Sequence, residues 1–399
     1  MLHFDESIEI IKNLEITQYK TKKLYLVDTL GYILAEDVIG DHNSPEYPTS
    51  AMDGYAIIHE DMTLERLKIA SINPAGSMLK DEVIGGTCIK TFTGSLMPKG
   101  ADTLIPIENV EVEGDEIVIK EEVPQGFSVR EVGENYAKGQ LLIAKGTKIG
   151  FPQIGVMASL NIVTPLVYEK PTVSILSTGS ELLELGETQT NHAQIRSSNN
   201  YILEAIVQKY DATPMQLGCI KDDKANITKA VASALEKSDI VVTTGGVSVG
   251  DFDFVKDVIV ELGCDVLFKG VRVKPGQHIM VARKGNKFIV GLPGFAYSST
   301  VTALLYVVPL IEKLQKGNAS LKKVKATLSE PFIKRAKKAE FTACNVERVN
   351  GEYRIDFKDK KVGSSAILTN MLGSIALLAT SEDETSKEIG DSVEVLLLD

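Results

Sequence analysis

Three acids, Glu181, Asp222 and Asp253, fall in loops that follow apolar, β-branched runs, and the loop that ends in Asp253 is the most informative stretch of the chain. It reads Thr243-Thr244-Gly245-Gly246-Val247-Ser248-Val249-Gly250-Asp251-Phe252-Asp253. Adjacent glycines let the backbone approach an anion closely and aim amides at it. A helix starting near Phe254 would add its positive N-terminal end. The segment is not a Walker loop, since no Gly-Lys-Ser/Thr follows, and it is not a GxGxxG dinucleotide fingerprint. A tight strand-to-helix turn would use the same glycines, and single loop acids are ordinarily just solvated. Three acids converging beside a phosphate-type loop suit a divalent cation, because Mg²⁺ takes a few carboxylates together with phosphate oxygens and water. The chemistry implied is that of a phosphorylated, nucleotide-like ligand bound with a cation.

Other segments add to this. Ser50-Ala51-Met52-Asp53-Gly54-Tyr55-Ala56 sets an acid among small residues, which fits either a β-turn or a close backbone approach to a ligand, and Thr91-Phe92-Thr93-Gly94 reads the same way. Lys269, Arg272 and Lys274 form a solvated strand face or give an acidic chain local positive charge for an anion. Lys274-Pro275-Gly276 and Gly291-Leu292-Pro293-Gly294 punctuate the chain near further strand ends.

These loops need a scaffold that gathers them. Thr172–Ser177, Pro214–Ile220, Asp239–Thr244, Asp265–Lys269 and His278–Arg283 read as strands. Between them lie helical stripes at Leu203, Ile206, Val207 and Tyr210, at Ile227, Ala230, Val231, Ala234 and Leu235, and at Val255, Val258, Ile259 and Leu262. A long apolar helix from about Tyr297 closes the unit. Such alternation predicts a parallel sheet with helices on both faces, where ligands bind outside the carboxyl ends of the strands. The expectation is thus an α/β multidomain chain. Its central α/β domain spans 168–317. A helical and extended linker domain is built from 1–45 and 141–167, with the helix Phe151–Leu160 packing back on the N-terminal one. An irregular β-rich domain covers 46–140, and a C-terminal β-barrel domain covers 318–399. Asn350-Gly351 between two apolar runs is a strong hairpin signal in that last part.

With 399 residues, 44% hydrophobic and 24% charged, the chain has the composition of a soluble multidomain protein. Its net charge of -11 and the lack of a Lys/Arg run argue against nucleic acid. The apolar stretch Val301–Leu314 is interrupted by Pro309 and Glu312, so no membrane span is expected. The four cysteines are too dispersed for a zinc site or disulfide framework. The acidic start, MLHFDESIEI, does not read as a secretory signal, and a cytoplasmic location is expected.

SAMDGYA at 50–56, TFTGSLMPKGAD at 91–102, VGEN at 132–135, STGSEL at 177–182, TTGGVSVGDFDF at 243–254, KPG at 274–276 and GLPG at 291–294 together resemble the ordered motifs of the molybdopterin molybdenumtransferase family, which includes the C-terminal enzyme domain of gephyrin-type proteins. The resemblance covers essentially the whole chain. It implies binding of adenylylated molybdopterin and molybdate, cleavage of the adenylate with release of AMP, and placement of molybdenum on the dithiolene. It also implies Mg²⁺ dependence and a homodimer with an active site shared between the α/β domain of one subunit and the irregular domain of the other. Further partners among the other proteins of molybdenum cofactor synthesis are implied as well. By matched positions, Asp53, Glu181, Asp222 and Asp253 are the catalytic acids. Glu181, Asp222 and Asp253 are also the metal ligands, and Asp53 reaches in from the partner subunit. Thr93, Gly94, Asn135, Gly245, Gly246, Ser248, Gly250, Lys274, Pro275, Pro293 and Ser298 are the substrate-binding set.

The sequence departs from the family pattern at Asn135, where an acid is usual, and at Ser180 within STGSEL. It departs again at Gln277-His278 after KPG, at Phe295-Ala296 after GLPG, and at Ala343, which aligns loosely with an arginine. Most of these fall on the molybdate side. Loss of one charged donor there predicts oxoanion binding weakened roughly tenfold to a hundredfold. The same changes leave open an alternative: a catalytically weakened paralogue that holds molybdopterin as a scaffold. An adenylating relative is the third reading, against which the SAMDGYA domain argues.

Overall fold

A computed structural model describes residues 1–78, 80–247, 254–317 and 321–398. Contacts group the chain into two units, one of residues 1–35, 146–150 and 164–399, the other of residues 36–145 and 151–163.

The first unit is built on a six-stranded sheet in the order Thr213–Ile220, Thr172–Thr178, Ile240–Thr244, Lys287–Leu292, Met280–Lys284, Asp265–Lys269. The first four run parallel. Met280–Lys284 is reversed, pairing antiparallel with both of its neighbours. Here the all-parallel expectation is corrected. The strand Lys287–Leu292 was not foreseen, and it joins Met280–Lys284 through the two-residue turn Gly285–Asn286, with Gly285 at φ +61°. A glycine at the first turn position is what a two-residue hairpin of this type requires. Gly291-Leu292-Pro293-Gly294 therefore follows this inserted strand and sits at the carboxyl edge.

Strand periodicity builds two cores. Ile240, Val242, Phe288 and Val290 face the helices Asn199–Lys209 and Ala296–Gln315, while Val241 and Ile289 face Lys224–Lys237 and Val255–Glu261. Helices thus cover both faces, as expected. The apolar helix after Tyr297 takes a π-helical turn over Ala303–Val307. Pro309 lacks the N–H that would bond back to Leu305, and the register widens just before it. The N-terminal helix Phe4–Lys12 lays Ile11, followed by Leu14, into the core shared with Val301 and Ile311. The helix Phe151–Ser159, expected to pack back on it, is grouped with the other unit.

Beyond residue 320, Lys323–Leu328, Ala339–Val349, Glu352–Asp356, Ile375–Thr380 and Ser392–Leu397 close into a five-stranded barrel. Asn350 and Gly351, at φ +51° and +88°, make the predicted hairpin turn. The short strand Val273–Lys274 adds to the barrel in parallel with Ala339–Glu340.

The second unit holds a six-stranded sheet in the order Thr103–Pro106, Gly54–Ile57, Thr87–Thr91, Arg66–Asn73, Glu116–Ile119, Val110–Glu113. Tyr55, Ile57, Leu67, Cys88, Ile105 and Ile117 fill its core. Among the described residues of the chain, no helix is long and apolar enough to cross a membrane. Gly54 is a steric requirement of this sheet, since a Cβ there would lie 2.3 Å from Ile105 O and 2.9 Å from the Leu104 side chain. Gly54→Ala should therefore lower the unfolding free energy by about 1–3 kcal/mol. Gly155→Ala is the control: it is helical with open space around it, and should stabilise by about 0.5–1 kcal/mol. Chemical denaturation of both variants checks the pair.

Candidate active site

The carboxyl ends of the parallel strands rest on a buried polar network. Ser177 Oγ bonds Asn200 Oδ1 at 2.6 Å and Thr244 Oγ1 at 2.7 Å, and Gln216 Nε2 donates to Asn200 O at 2.7 Å. Above it, the loops after the first two strands clasp each other. Ser180 N donates to Asp222 Oδ2 at 3.0 Å, and Asp222 N to Ser180 Oγ at 3.3 Å. Glu181 follows Ser180 directly and folds its carboxylate over Gly179, where a Cβ would meet both of its oxygens at 2.8 Å. Glu181 and Asp222 are thus brought onto one pair of joined loops. Asp253, with Ser248 and Gly250, lies outside the described residues. Among the described residues, no three acids, histidines or cysteines gather to hold a metal.

The paired glycines are shaped by their surroundings. Gly245 and Gly246 have φ of +83° and +68°, and a Cβ on them would lie 2.7 Å from Thr178 O and from Val255 Cγ2, respectively. Gly245 N–H is spent on Leu292 O at 3.1 Å. The tight-turn reading of these glycines therefore accounts for their positions, and one of the two amides is committed within the protein. The neighbouring loop with Pro293 and Gly294 is held by Asn199, whose Nδ2 donates to Gly294 O at 2.8 Å.

A second cluster forms where the α/β sheet meets the barrel. Lys274 Nζ lies 2.9 Å from Glu340 Oε1, and Glu340 is only 2% exposed. Its Oε2 has no hydrogen-bond partner. Lys274, Pro275, Tyr297, Glu340, Ser365 and Asn370 line one cavity. Ser298 Oγ donates to Ser365 O at 2.9 Å, which fixes the barrel loop over the helix start. Gly276, at φ +96°, packs against Thr302. Ala343 is buried in the apolar core, its N–H bonded at 2.9 Å to the hydroxyl of Tyr297, which lines the cavity. Glu340, Ser365, Asn199 and Asn200 were not singled out from sequence. The run Ser197-Ser198-Asn199-Asn200 opening a helix, and a lone acid in Ala339–Phe341, were the available signals.

In the second unit, Asp53 and Thr93 meet. Thr93 donates to Asp53 Oδ1 twice, through its N–H at 2.8 Å and its hydroxyl at 2.7 Å. These bonds, the backbone one first, hold the Asp53 carboxyl below the ordinary carboxylate range, with Lys90 helping. Gly94 N donates to Ser50 O at 2.9 Å, closing the same turn. Asn135 is held by Ser44, its N–H donating to Ser44 O at 2.8 Å. Thr93→Val removes the hydroxyl donor and keeps the backbone one. The Asp53 carboxyl of this variant should titrate at higher pH than in the wild type, nearer its ordinary range. A lowered folded-state value contributes stability above the ordinary carboxylate range, and that contribution disappears as pH falls through the lowered value. It should be smaller in the variant. A carboxyl NMR titration of Asp53 in both proteins measures the shift, and an unchanged midpoint would contradict this account.

Two family profiles match the chain: "MoeA N-terminal region (domain I and II)" over residues 2–161, and "Probable molybdopterin binding domain" over residues 174–313. The molybdopterin molybdenumtransferase of Haemophilus influenzae is 33% identical over 298 residues, 74% of this chain and 73% of that protein. The protein of the same name from Bacillus subtilis is 30% identical over 407 residues, covering 99% of this chain and 93% of its own length. The crystal structure of a molybdopterin biosynthesis moeA protein from Pyrococcus horikoshii superposes with a TM-score of 0.83 at 29% identity, covering 100% of both chains. The loops gathered at the sheet edge, the barrel docked on Lys274 and the separate SAMDGYA sheet are thus the parts of a shared architecture, and the chain belongs to the molybdopterin molybdenumtransferase family.

Proposed function

We propose that this chain is a molybdopterin molybdenumtransferase, which takes adenylylated molybdopterin and molybdate, releases AMP and leaves molybdenum on the dithiolene. The observation that carries the reading is the match over 99% of the chain to a relative of that name. The site geometry is consistent with it: Glu181 and Asp222 on one clasped loop pair serve the phosphate side, and Lys274 in the barrel cavity serves the oxoanion side. A pterin-holding scaffold is not favoured, because its relatives bear the enzyme's name and the acids persist here.

Mg²⁺ belongs to this proposal. The carboxylate of Glu181 and Oδ1 of Asp222 accept no hydrogen bond from the described residues, so two hard oxygen donors are available beside a phosphate. They would hold the ion together with Asp253. When bound it would neutralise charge between carboxylates and phosphate. The residues of the chain then orient the adenylate: the Ser180–Asp222 clasp fixes the loop that carries Glu181, and Asn199 fixes the Pro293–Gly294 loop.

A homodimer belongs to it as well. Tyr25, Val27 and Leu30, 58–60% exposed on one short segment, are the kind of surface that a second subunit covers. A cytoplasmic setting fits a biosynthetic enzyme of this kind, and neither nucleic acid nor membrane has a role in it.

AMP release from adenylylated molybdopterin should require both molybdate and Mg²⁺, and excess chelator should abolish it. Asp253→Asn should lower turnover roughly 100-fold or more, the scale of a lost electrostatic or acid–base group. Full turnover without either ion would refute the reading. Mixing Asp53→Ala and Glu181→Ala chains should restore activity that neither has alone, because one site of each heterodimer is intact. A chain that stays monomeric in sedimentation while active would exclude the shared site.

A further inference from the structure

Three cations sit where the α/β sheet passes into the barrel. Val273–Lys274 pairs in parallel with Ala339–Glu340, and Ala339 N donates to Arg272 O at 3.1 Å. Arg272 and Lys338 each stand in a bend directly before the paired residues, so the two side chains flank the Lys274–Glu340 pairing from its amino-terminal end. Two of the three charges are neutralised in place. Arg272 Nε lies 2.9 Å from a Glu382 oxygen, and Lys274 Nζ lies 2.9 Å from Glu340. Lys338 has no acid at ion-pair distance among the described residues. Its Nζ donates to Gln277 Oε1, and Gln277 Nε2 meets the His278 ring nitrogen at 2.9 Å.

We propose that Lys338 is an oxoanion-binding cation of this site, supplying from the barrel the charge that Gln277 does not carry in the turn Lys274-Pro275-Gly276-Gln277-His278. The inference rests on the transferase reading, in which Lys274 borders the molybdate pocket. A tetrahedral dianion approaching these residues meets the Lys274–Glu340 and Arg272–Glu382 ion pairs, whose charges largely cancel, and the charge of Lys338, which no acid at ion-pair distance offsets among the described residues. An ammonium has three donors, and Gln277 uses one. Lys338 can stay on Gln277 while giving a second hydrogen to an oxoanion oxygen, a charge-assisted bond stronger than the amide contact. Gln277 is the residue that positions it. A lysine at 277 would instead place two ammonium groups side by side, which explains why a neutral residue is accommodated at that position.

The test is a molybdate titration of the full-length chain in two formats, AMP release and equilibrium dialysis of molybdate without the pterin. Lys338→Gln should raise the half-saturating molybdate roughly tenfold to a hundredfold in both. The half-saturating concentration of adenylylated molybdopterin should stay unchanged. Lys338→Arg, which keeps the charge, should stay close to wild type, and its folding guards against a loss due to instability of the glutamine variant. Equal molybdate binding by wild type and Lys338→Gln overturns the proposal, as does an equal loss in Lys338→Arg and Lys338→Gln. Absence of AMP release by wild type, with Lys338-dependent binding in dialysis, would instead remove the transferase reading and leave the anion site standing.

Discussion

The contact between Lys274 and Glu340 governs how the first unit is put together. Glu340 is almost fully buried on a barrel strand, and a carboxylate in that position without a partner would cost several kcal/mol. Lys274 comes to it only because Val273–Lys274 extends the barrel by one short parallel strand. The turn that follows Lys274 has Gly276 at a positive φ against Thr302, so the buried helix after Tyr297 sets where the turn can lie. Tyr297 completes the joint by accepting from Ala343 N and donating to Phe341 O. Burial drives its phenol far above the ordinary range, so it stays a neutral hydrogen-bonding group. Barrel, turn and helix therefore hold one another, and the cavity between them is a consequence.

The carboxyl edge of the sheet depends on a different economy of hydrogen bonds. Ser177, Asn200 and Thr244 are buried polar residues beneath loops that carry the acids. A buried network of this sort is favourable only when its members are satisfied, and it then fixes one arrangement. Asn200 is the hub: it accepts from Ser177 and, through its backbone carbonyl, from Gln216. The adjacent Asn199 grips the Gly294 carbonyl. One helix start thereby ties the outer strand Thr213–Ile220 to the loop after Lys287–Leu292, across the full width of the parallel ladder.

Local signals carried much of this into the sequence. Apolar runs with β-branched residues gave the strands Thr172–Thr178 and Ile240–Thr244 within a residue or two, and Asn350-Gly351 gave its hairpin. The reversed strand was not legible in the same way, because periodicity reports which face is buried and says nothing about strand direction. Its partner Lys287–Leu292 was overlooked although Gly285-Asn286, within the polar run Arg283-Lys284-Gly285-Asn286-Lys287, is a two-residue hairpin signal between two apolar runs. A helix was expected at the N-terminus, but an apolar stripe does not name what it packs on, and here Ile11 and Leu14 enter the α/β core. Of the candidate site, the acids and glycines could be read because they sit next to strand ends. Glu340 and Lys338 could not, because strand pairing across more than sixty residues is what brings them to the Lys274 turn.

That last point changes how the departures from the family pattern are to be weighed. Counted along the chain, Gln277 and Ala343 each look like a lost cation. Counted in space, they differ. Ala343 lies in the apolar core beside the cavity-lining Tyr297, where a guanidinium would need its own buried partner. Gln277 follows the Lys274 turn, and its neutral amide accepts from the ammonium of Lys338, which directly precedes the barrel strand. With a neutral residue in the turn and the lysine at 338 beside it, the sum of charge at that point is still positive. Electrostatic attraction for an anion depends on distance and exposure, whichever strand supplies the cation. A pocket can therefore drift in sequence at the positions that define a motif and still keep the field that the motif was there to provide.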